Sequence, residues 1–552
     1  MQPGPSPPLN HRRRFLVLLT ILVLSGCAST PVSRRAAPIP SFPWQNYEPS
    51  LLVLARIAAD TIPDTYSRVF ALSRIAQEAL VAQDRWAPGD DQLQQNTTQL
   101  SQGREIGFDS LQQSIGMAQE IDSALRRAEL FSALSGDFLG YQAAEQALSL
   151  LKQAADLVFP LFNPDEAQGR EVQILEDLIY ALFNTGTAGY PLLRQAVQRI
   201  YLIQDYTLRV RLLTRTAREY QQLGSGQRAG VLLQQALAGA SAIPHPADRF
   251  QAYAQIALRF QEQQDSQEAL RYAEKAYSIL EELAIDTLTP AQQETVRQGI
   301  QDLIPMGYAG QTGEYIQYFT QTTEQQELSL YLAEYYFEQG EPFAAEIFLQ
   351  QVLQRSRQIP GPQALQTQAL TTLRIAGLYL ENNDPLIAQY YVEQLIQELQ
   401  QNPALLDDFG KADLFVLASR LGITDAATAL LARIQSGAVR ASALSRALEA
   451  LAQESGSQDQ AATQQRQMLS DRLVATLNTL ENQRDQSLLN ASLALARTGQ
   501  TDAALELLGT IQDPYTLSLA ASNLFSIIPP GTLQPQTDRL RNLLAEWDRQ
   551  PS

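Results

Sequence analysis

Five segments of this chain repeat one pattern of small, large and turn residues. In each segment a small residue is followed by a large residue after three positions, a turn residue after seven and a second small residue after twelve. The first small residues are Ala217, Ala257, Ala333, Ala376 and Ser492; the large residues are Tyr220, Phe260, Tyr336, Tyr379 and Leu495; the turn residues are Gly224, Gln264, Gly340, Asn383 and Gly499; the second small residues are Ala229, Ala269, Ala345, Ala388 and Ala504. Recurrence at fixed offsets predicts one structural unit that is used many times.

Each position of this pattern has a physical role in a helical hairpin. A small residue lets a partner helix approach closely, and a large residue one turn later fills the space beside it. A glycine or an asparagine adopts the left-handed conformation that ends the first helix. The second small residue lies where the second helix crosses the first. Because one hairpin leaves an apolar side unburied, neighbouring hairpins are predicted to stack.

The pattern resembles the tetratricopeptide repeat family. The small, aromatic, glycine and alanine positions of that family are matched by Ala217, Tyr220, Gly224, Ala229 and Ala236. The resemblance implies an all-α fold, a right-handed α-solenoid of stacked helix-turn-helix hairpins.

The spacing of the units differs from that family. The first small residues lie 40 positions apart between Ala217 and Ala257 and 43 apart between Ala333 and Ala376, against about 34 in the family. Side-by-side helices at about 8–10 Å predict a rod or arc on the order of 100 Å long. Segments 160–200, 285–320 and 403–435 match the pattern poorly and predict irregular repeats.

A second device recurs between the hairpins. An aspartate or a serine stands four residues before an arginine in the pairs Asp64 and Arg68, Asp122 and Arg126, Asp205 and Arg209, and Ser436 and Arg440. The first residue of each pair is predicted to cap the next helix, and an upstream isoleucine (Ile62, Ile121, Ile203 or Ile434) to pack beneath it. The arginine, one turn into the helix, is predicted to pair with the aspartate.

The N-terminal segment has the pattern of an export signal. Arg12, Arg13 and Arg14 precede an apolar run from Phe15 to Leu24, which is about half the length that a membrane-spanning helix needs. The following Leu24-Ser25-Gly26-Cys27 resembles the bacterial lipobox, which implies lipidation of Cys27. The alternative is an ordinary signal peptide with a coincidental cysteine.

These features predict four regions along the chain. Residues 1–26 are interpreted as a lipoprotein signal peptide, and residues 27–47, rich in serine and proline, as a flexible tether. Residues 48–545 are predicted to form the helical solenoid, and residues 546–552 a tail.

The charge balance limits the class of partner. The chain carries 59 acidic and 41 basic residues, a formal net charge of −18 at pH 7. Such acidity disfavours nucleic acid and gives no electrostatic attraction to anionic lipid. Membrane contact is therefore predicted through the lipid anchor only. Since Cys27 is the single cysteine, no disulfide forms within the chain.

Catalytic and metal sites lack their usual components. Apart from His11 in the signal segment, the chain has one histidine, His245, between two prolines. With one histidine, in a turn between two prolines, we expect no histidine metal site, no Ser-His-Asp triad and no Cys-His pair. No Gly-x-x-x-x-Gly-Lys phosphate loop occurs. We therefore expect no enzymatic activity, no cofactor and no metal.

Two alternatives to a scaffold stay open at this point. Soluble lytic transglycosylases place a catalytic Glu-Ser in a helical superhelix, and Glu454-Ser455 has that dipeptide without the partner motif downstream. A glycan-binding or peptidoglycan-active enzyme is therefore the second hypothesis. A substrate-binding lipoprotein of a transporter is the third, although the alternating strands of that class are not found.

Four arginines recur at one position of the pattern. Arg74, Arg215, Arg374 and Arg446 stand two residues before the first small residue or its equivalent. Equivalent positions line up along one side of a stacked array, so a row of guanidinium groups is a candidate partner-binding surface. The alternative is that each arginine pairs with an acid on the neighbouring hairpin. Candidate aromatic anchors of a contact surface are Tyr335-Tyr336, Tyr390-Tyr391, Tyr315 and Tyr318, and at least one ring of each pair is expected in the core.

The sequence as a whole predicts a scaffold rather than an enzyme. A lipid anchor, a tether and a helical array predict a protein that binds other proteins of the bacterial cell envelope. The predicted location is extracytoplasmic and membrane-anchored, on the periplasmic face. The outer membrane is favoured because Ala28, rather than aspartate, follows the cysteine.

Overall fold

The structure, a computed structural model, describes residues 42–86, 93–162, 170–358, 364–454, 460–480, 484–529, 532 and 536–547. All regular elements in these ranges are helices, and no β-strand occurs in them. The predicted all-α solenoid of stacked helical hairpins is confirmed. The described residues belong to one compact unit.

Twenty-five α-helices are described, of which α1 (Leu51–Asp60) precedes twelve hairpins. The first helices of the hairpins are α2 (Thr65–Trp86), α4 (Ala124–Gly140), α6 (Arg170–Asn184), α8 (Tyr206–Gln222), α10 (Pro246–Glu262), α12 (Pro290–Leu303), α14 (Thr322–Glu338), α16 (Ala364–Glu381), α18 (Asp408–Arg420), α20 (Gly437–Glu454), α22 (Arg484–Arg497) and α24 (Pro514–Ile527). The second helices are α3 (Leu93–Gln119), α5 (Ala144–Val158), α7 (Tyr190–Leu202), α9 (Gly226–Ser241), α11 (Ser266–Glu282), α13 (Ala309–Gly313), α15 (Pro342–Gln358), α17 (Pro385–Gln401), α19 (Thr424–Arg433), α21 (Gln460–Leu477), α23 (Thr501–Leu508) and α25 (Thr537–Trp547).

The twelve first helices of the described hairpins form a closed inner ring. Each packs against the first helices of the hairpins before and after it, and the last of them, α24, packs against α2. The second helices pack on the first helix of their own hairpin, except α25, which packs on α1, and in most hairpins they also pack on the first helix of the next. Neighbouring first helices contact each other far more than neighbouring second helices do, so the first helices form the inner layer.

Polar contacts close the ring between α2 and α24. Arg85 Nη1 and Trp86 Nε1 both donate to the Ser526 carbonyl oxygen, at 2.7 and 3.2 Å. Arg74 Nη2 donates to Asn523 Oδ1 at 2.7 Å. The predicted open rod or arc is therefore wrong. The pattern in one repeat fixes how neighbours stack, whereas closure depends on the small rotation per repeat summed over twelve hairpins.

Helix α1 fills the position where the ring closes. It packs against α24, α25, α2 and α3, and every residue from Leu51 to Ala59 is buried. Its one buried cation, Arg56, donates to Asp109 at 2.7 Å and to Ser110 at 3.2 Å, and also to Gln113. A helix that is apolar around its whole circumference is expected to be buried on all sides. Helix α1 thus joins the two ends of the array.

The segment before α1 packs on the same position. Phe42 is buried, its ring stacks on Tyr47 at 5.1 Å between centroids, and the Arg56 guanidinium lies over it at 4.9 Å. Residues 42–47, included in the predicted tether, therefore contact the helical unit. At the other end α25 continues to Trp547, which is buried, two residues beyond the predicted limit of the solenoid.

The turn residues of the repeat adopt the predicted left-handed conformation. All five have positive φ: 71° at Gly224, 62° at Gln264, 74° at Gly340, 59° at Asn383 and 81° at Gly499. In each turn the next residue's N–H donates to the carbonyl of the large residue, as Glu341 does to Tyr336 at 2.8 Å. The first and second small residues of all five units are completely buried. The roles assigned to the four positions are confirmed.

Two further hairpins have the same turn, although they were not among the five segments assigned to the pattern. Gln142, between α4 and α5, has a φ of 62°, and Gly422, between α18 and α19, has a φ of 72°. The first of these hairpins matches the whole pattern with Ser135, Phe138, Gln142 and Ala147, whereas in the second Phe415 stands at the first small position. The turn geometry is thus more constant than the residues that form it.

The turn at Gln264 offers a test of backbone strain. A residue with a side chain is disfavoured in the left-handed region by about 1–2 kcal/mol. Glycine avoids this strain, but its greater conformational freedom in the unfolded chain offsets part of the gain. We expect Gln264→Gly to raise the free energy of unfolding by about 0.5–1 kcal/mol. Chemical denaturation measures it. The matched reverse change, Gly340→Gln, meets no atom within 4 Å of its Cβ and is expected to destabilise by a similar amount. If both substitutions raise the free energy of unfolding, or both lower it, backbone strain at Gln264 is not the cause.

The capping device between hairpins is confirmed in part. Asp64 accepts a hydrogen bond from the Ser67 N–H at 2.7 Å, and Asp205 and Ser436 cap their helices in the same way. At α4, however, Ser123 is the cap, and the prediction for Asp122 is wrong.

The arginine of this device has a different partner from the one predicted. Arg68 Nε donates to the Ile62 carbonyl at 2.7 Å, and Arg440 Nη2 donates to the Ile434 carbonyl at 2.7 Å. Arg249 makes the same contact with Ile243 at 3.2 Å. The predicted pairing with Asp64 is thus wrong for Arg68, because the guanidinium reaches the end of the preceding helix, or the turn after it, where carbonyl groups lack partners. In these three hairpins the arginine therefore ties the first helix to the segment before it, whereas Arg126 and Arg209 lie over the rings of Tyr66 and Tyr206.

The segment between α11 and α14 is irregular, as its poor match predicted. Helix α13 has only five residues and is flanked by 3-10 turns. The buried Gln293 holds this segment together: its Nε2 donates to the Ile285 carbonyl at 2.9 Å, and its Oε1 accepts from the Thr320 hydroxyl at 2.9 Å. A buried amide with both ends satisfied replaces the hairpin contacts that the short helix cannot make.

Candidate functional site: the inner face of the ring

A polar cavity of about 500 Å³ opens on the inner face of the ring. Side chains from four consecutive first helices, α6, α8, α10 and α12, line it. Its amide and hydroxyl groups belong to Gln173, Thr207, Gln251, Gln255, Thr295 and Gln298. A hydroxyl group both donates and accepts hydrogen bonds, and an amide group carries an N–H donor beside a carbonyl acceptor.

The repeat pattern determines which positions reach this cavity. Arg215 and Gln255 stand two residues before the first small residue of their hairpins, and Arg211 and Gln251 stand six before it. Positions four apart lie on one side of a helix. That side lies opposite the stripe of small and large residues that packs against neighbouring helices. The two positions therefore face the centre of the ring.

A hydrogen-bonded chain of side chains crosses from α10 to α12. Gln251 Nε2 donates to Gln298 Oε1 at 2.7 Å, and Gln298 Nε2 donates to Glu294 Oε1 at 2.8 Å. Glu294 also accepts two hydrogen bonds from Arg297, at 2.6 and 2.7 Å, and these bonds lower the pKa of Glu294. The side chains on this wall are thus held in place before any partner arrives.

The cavity also carries fixed charges of both signs. Glu176, Asp205 and Asp248 contribute carboxylates, and Arg211 and Arg215 contribute guanidinium groups. Burial raises the pKa of Asp248, nearby Asp205 raises it further, and His245 opposes the shift. Arg215 pairs with Glu176, whereas Arg211 has no acid within 4 Å among the described residues. The cavity thus holds at least one cation free to meet an anionic or carbonyl group.

The four predicted arginines all lie on first helices and all have acidic partners. Arg215 pairs with Glu176, Arg374 approaches Glu334 at 3.8 Å, and Arg446 approaches Asp413 at 2.6 Å, each on the preceding first helix. Arg74 pairs with Glu78 on its own helix at 2.6 Å. Of the four, only Arg215 lines the cavity. Pairing on the neighbouring hairpin, the alternative reading, describes three of them, and their role in binding a partner stays a prediction.

These pairs belong to a longer series around the ring. The other pairs between neighbouring first helices are Arg170 with Glu129, Arg218 with Glu262, Arg297 with Glu327, and Arg497 with Glu449. Exposed ion pairs of this kind contribute about 0–1 kcal/mol each. Their main effect is to fix the angle between neighbouring helices and to leave few guanidinium groups unpaired.

Comparison with known proteins gives no family. No model of a known protein family matches the chain, and no curated protein matches it. Solved structures similar to it include Ton1535 from Thermococcus onnurineus (12% identity, TM-score 0.25, 71% of this chain and 99% of that one) and a human IFIT1 dimer with PPP-AAAA (12%, 0.25, 79% and 93%). A circular tandem repeat protein is a third (13%, 0.18, 90% and 95%). These scores carry no functional inference.

Sequence reasoning missed the amide side chains of the cavity. Gln255 occupies the same position of the repeat as Arg215, so a comparison of that position across all hairpins would have placed both on one surface. Only the arginines were selected as candidates because of their charge. The lining residues on α6 and α12 belong to segments that match the pattern poorly, and no sequence signal placed them here.

Two predicted features fall outside the described residues. Cys27, the predicted lipidation site, lies in the undescribed first 41 residues, and Ser455 of the Glu454-Ser455 pair lies in the undescribed segment 455–459. No helix in the described part of the chain combines the length and apolarity needed to cross a bilayer. Over the same residues, no group of three His, Cys, Asp or Glu side chains is arranged to hold a metal ion.

Proposed function

We propose that this chain is a lipid-anchored scaffold of the bacterial cell envelope that holds an extended segment of another protein against the inner face of its ring. The lipobox-like Leu24-Ser25-Gly26-Cys27 supports the anchor. The polar cavity on the inner face supports the binding role. Ala28, which follows the cysteine, favours the outer membrane as the anchoring site.

One observation carries the binding role: the cavity wall includes four glutamines and two threonines, whose side chains match the hydrogen-bonding groups of a peptide main chain. An extended segment presents N–H and C=O groups along both edges. Glutamine offers an N–H donor and a carbonyl acceptor together, and Gln173, Gln251, Gln255 and Gln298 come from three different helices. Apolar lining is limited to a few residues such as Val172 and Leu208. Such a surface is suited to bind a peptide backbone and polar side chains rather than a large apolar ligand.

Site-specific crosslinking in the bacterial host tests this role. A photoreactive phenylalanine analogue at Gln255 is expected to trap a defined protein partner, because that position faces the cavity. The matched control places the same analogue at Lys152, which is exposed on the outer helix α5. An adduct at Gln255 that is absent at Lys152 supports the proposal. Equal adducts at both positions, or none at Gln255, would contradict binding at the inner face.

The anchor is tested separately. Two or more acyl chains on Cys27 would hold the protein stably on a membrane, whereas one chain binds only marginally. We expect Cys27→Ala to abolish incorporation of radiolabelled fatty acid and to move the protein from the membrane to the soluble fraction. Ser25→Ala, a change that leaves the cysteine in place, serves as the control. If the cysteine variant stays with the membrane, the lipid anchor is not what holds it, while the crosslinking result stands on its own.

A further inference from the structure

Four large apolar side chains are exposed on the outside of the ring. Phe343 is 89% exposed, Leu386 78%, Tyr390 64% and Ile347 59%. Phe343 and Ile347 belong to α15, and Leu386 and Tyr390 belong to α17. We call these four residues the outer apolar surface. Single exposed apolar residues are common, but a group of large ones on neighbouring elements marks an interaction site.

The four residues occupy matching positions in neighbouring hairpins. Phe343 and Leu386 each stand ten residues after the first small residue of their hairpins, and Ile347 and Tyr390 stand fourteen after it. Within each helix the two are four apart and share one side. Two adjacent outer helices thus present the same apolar pair at the same level of the ring. A partner that lies across both helices contacts all four side chains.

The layer beneath this surface is rigidly packed. Tyr336 stacks on Phe348 with 5.6 Å between ring centroids, and Tyr379 stacks on Tyr391 at 5.9 Å. Tyr379 also packs edge-on against Phe337 at 5.6 Å and donates its hydroxyl hydrogen to Glu346. The expectation of one core ring in each tyrosine pair holds for Tyr390-Tyr391, where Tyr391 is buried, and not for Tyr335-Tyr336, where both residues are half-buried. The apolar side chains therefore project from a fixed base, which reduces the entropy lost on binding.

Acidic residues predominate around the outer apolar surface, although Arg357 in the last turn of α15 lies close enough to oppose in part the rise that burial causes in the pKa of Tyr391. Segments 328–354 and 375–401 together contain eight acidic residues and no lysine or arginine. The exposed members are Glu338, Glu341, Glu381 and Glu393, and none of these has a cation within 4 Å among the described residues. A negative field around an apolar centre attracts a partner that is both apolar and basic. The same field repels anionic lipid and a second copy of this chain.

We propose that the outer apolar surface binds a basic amphipathic helix of another protein. The apolar face of that helix covers Phe343, Ile347, Leu386 and Tyr390, and its lysines or arginines pair with the surrounding glutamates. Binding of this kind uses apolar anchors at helical spacing for affinity and charge for orientation. This site lies on the outer helices and is independent of the inner face, so the scaffold has two surfaces for two different partners.

Fluorescence anisotropy with a model peptide tests the proposal. The probe is an 18-residue fluorescein-labelled peptide of leucine and lysine patterned as an amphipathic helix, and the full chain is titrated into it. We expect the double variant Phe343→Asp with Leu386→Asp to weaken binding at least tenfold. The matched control, Val231→Asp with Leu270→Asp, changes one exposed apolar residue on each of α9 and α11, which are 56% and 52% exposed. It is expected to leave the affinity within twofold.

Further measurements separate this proposal from its alternatives. Glu341→Lys with Glu381→Lys is expected to weaken binding and to flatten its dependence on salt. Circular dichroism melts check that the variants fold. The proposal is overturned if a scrambled peptide of the same composition binds equally, or if both aspartate variants bind alike. It is also overturned if the outer apolar surface mediates binding to phosphatidylcholine vesicles or formation of a dimer instead, with either one lost in the Phe343 and Leu386 variant.

Discussion

Replacing Leu54 by aspartate is expected to open the ring and to lower the free energy of unfolding by on the order of 4 kcal/mol. Leu54 is 1% exposed within α1, the helix that joins the two ends of the array. The one cation on α1, Arg56, is already bonded to Asp60, Asp109 and Gln113 and is not free to neutralise a carboxylate there. Helix α1 is therefore expected to leave its site.

Two measurements check this result. Urea denaturation gives the loss of stability, and small-angle X-ray scattering is expected to show a larger radius of gyration as the closed array becomes an open one. Leu54→Met, which keeps volume and apolarity, is the matched control and is expected to cost less than about 1.5 kcal/mol without changing the scattering. An aspartate variant with unchanged scattering and stability would show that α1 does not hold the ring closed.

The second large effect concerns a carboxyl group buried between α2 and α4. Asp137 accepts hydrogen bonds from the Ser73 hydroxyl at 2.5 Å and from Gln77 Nε2 at 2.9 Å. Burial raises the pKa of Asp137 to about 6, although these two bonds lower it in part. The unfolded value is about 3.9, so the folded protein keeps the proton over a wider range of pH.

The direction of the pH dependence follows from this difference. The contribution of Asp137 to stability is fully present below about pH 4 and is lost as the pH rises to about 6. Above about pH 6 the folded protein holds a buried carboxylate, which lowers the free energy of unfolding by up to about 3 kcal/mol. Burial raises the pKa of Asp177 and of Asp302 to about 6 as well, so both act in the same direction.

Asp137→Asn removes the charge and keeps the shape. The amide oxygen accepts from Gln77, and the amide nitrogen donates to the Ser73 oxygen, so both contacts survive. We expect the variant to be more stable than the natural chain at pH 7.5 by about 1–3 kcal/mol and to match it near pH 4. Thermal melts from pH 4 to 8 measure this. The exposed Asp425→Asn is the control, and a parallel pH profile for both variants would refute the assignment.

The local structure of the repeats could be predicted from sequence because its causes are local. A small residue at Ala217 and a glycine at Gly224 act through close approach and through φ, and both effects lie within a few residues of their cause. The partner of Arg68 could not be predicted in the same way. Its choice between the carboxylate of Asp64 and the Ile62 carbonyl depends on how the preceding helix ends, which the spacing of residues does not specify.

Closure of the ring depends on contacts between residues far apart in the chain. Arg85 and Ser526 are 441 positions apart, and nothing in either segment alone indicates the other. One signal was present: the run Leu51–Ala59 has no polar face, which a helix at the free end of an array would require. The inner cavity was missed for a related reason, because its walls come from four helices that meet only in the folded ring.

The absence of free ends in the helical unit has a consequence for how it unfolds. An open array of repeats frays from its terminal units, which need specialised capping repeats, and its stability is the sum of nearest-neighbour contacts. In the ring every hairpin has a neighbour on both sides, so the first hairpin to melt must break two interfaces at once. Unfolding is therefore expected to be more cooperative than the number of repeats suggests, with hydrogen-exchange protection spread evenly over the twelve hairpins.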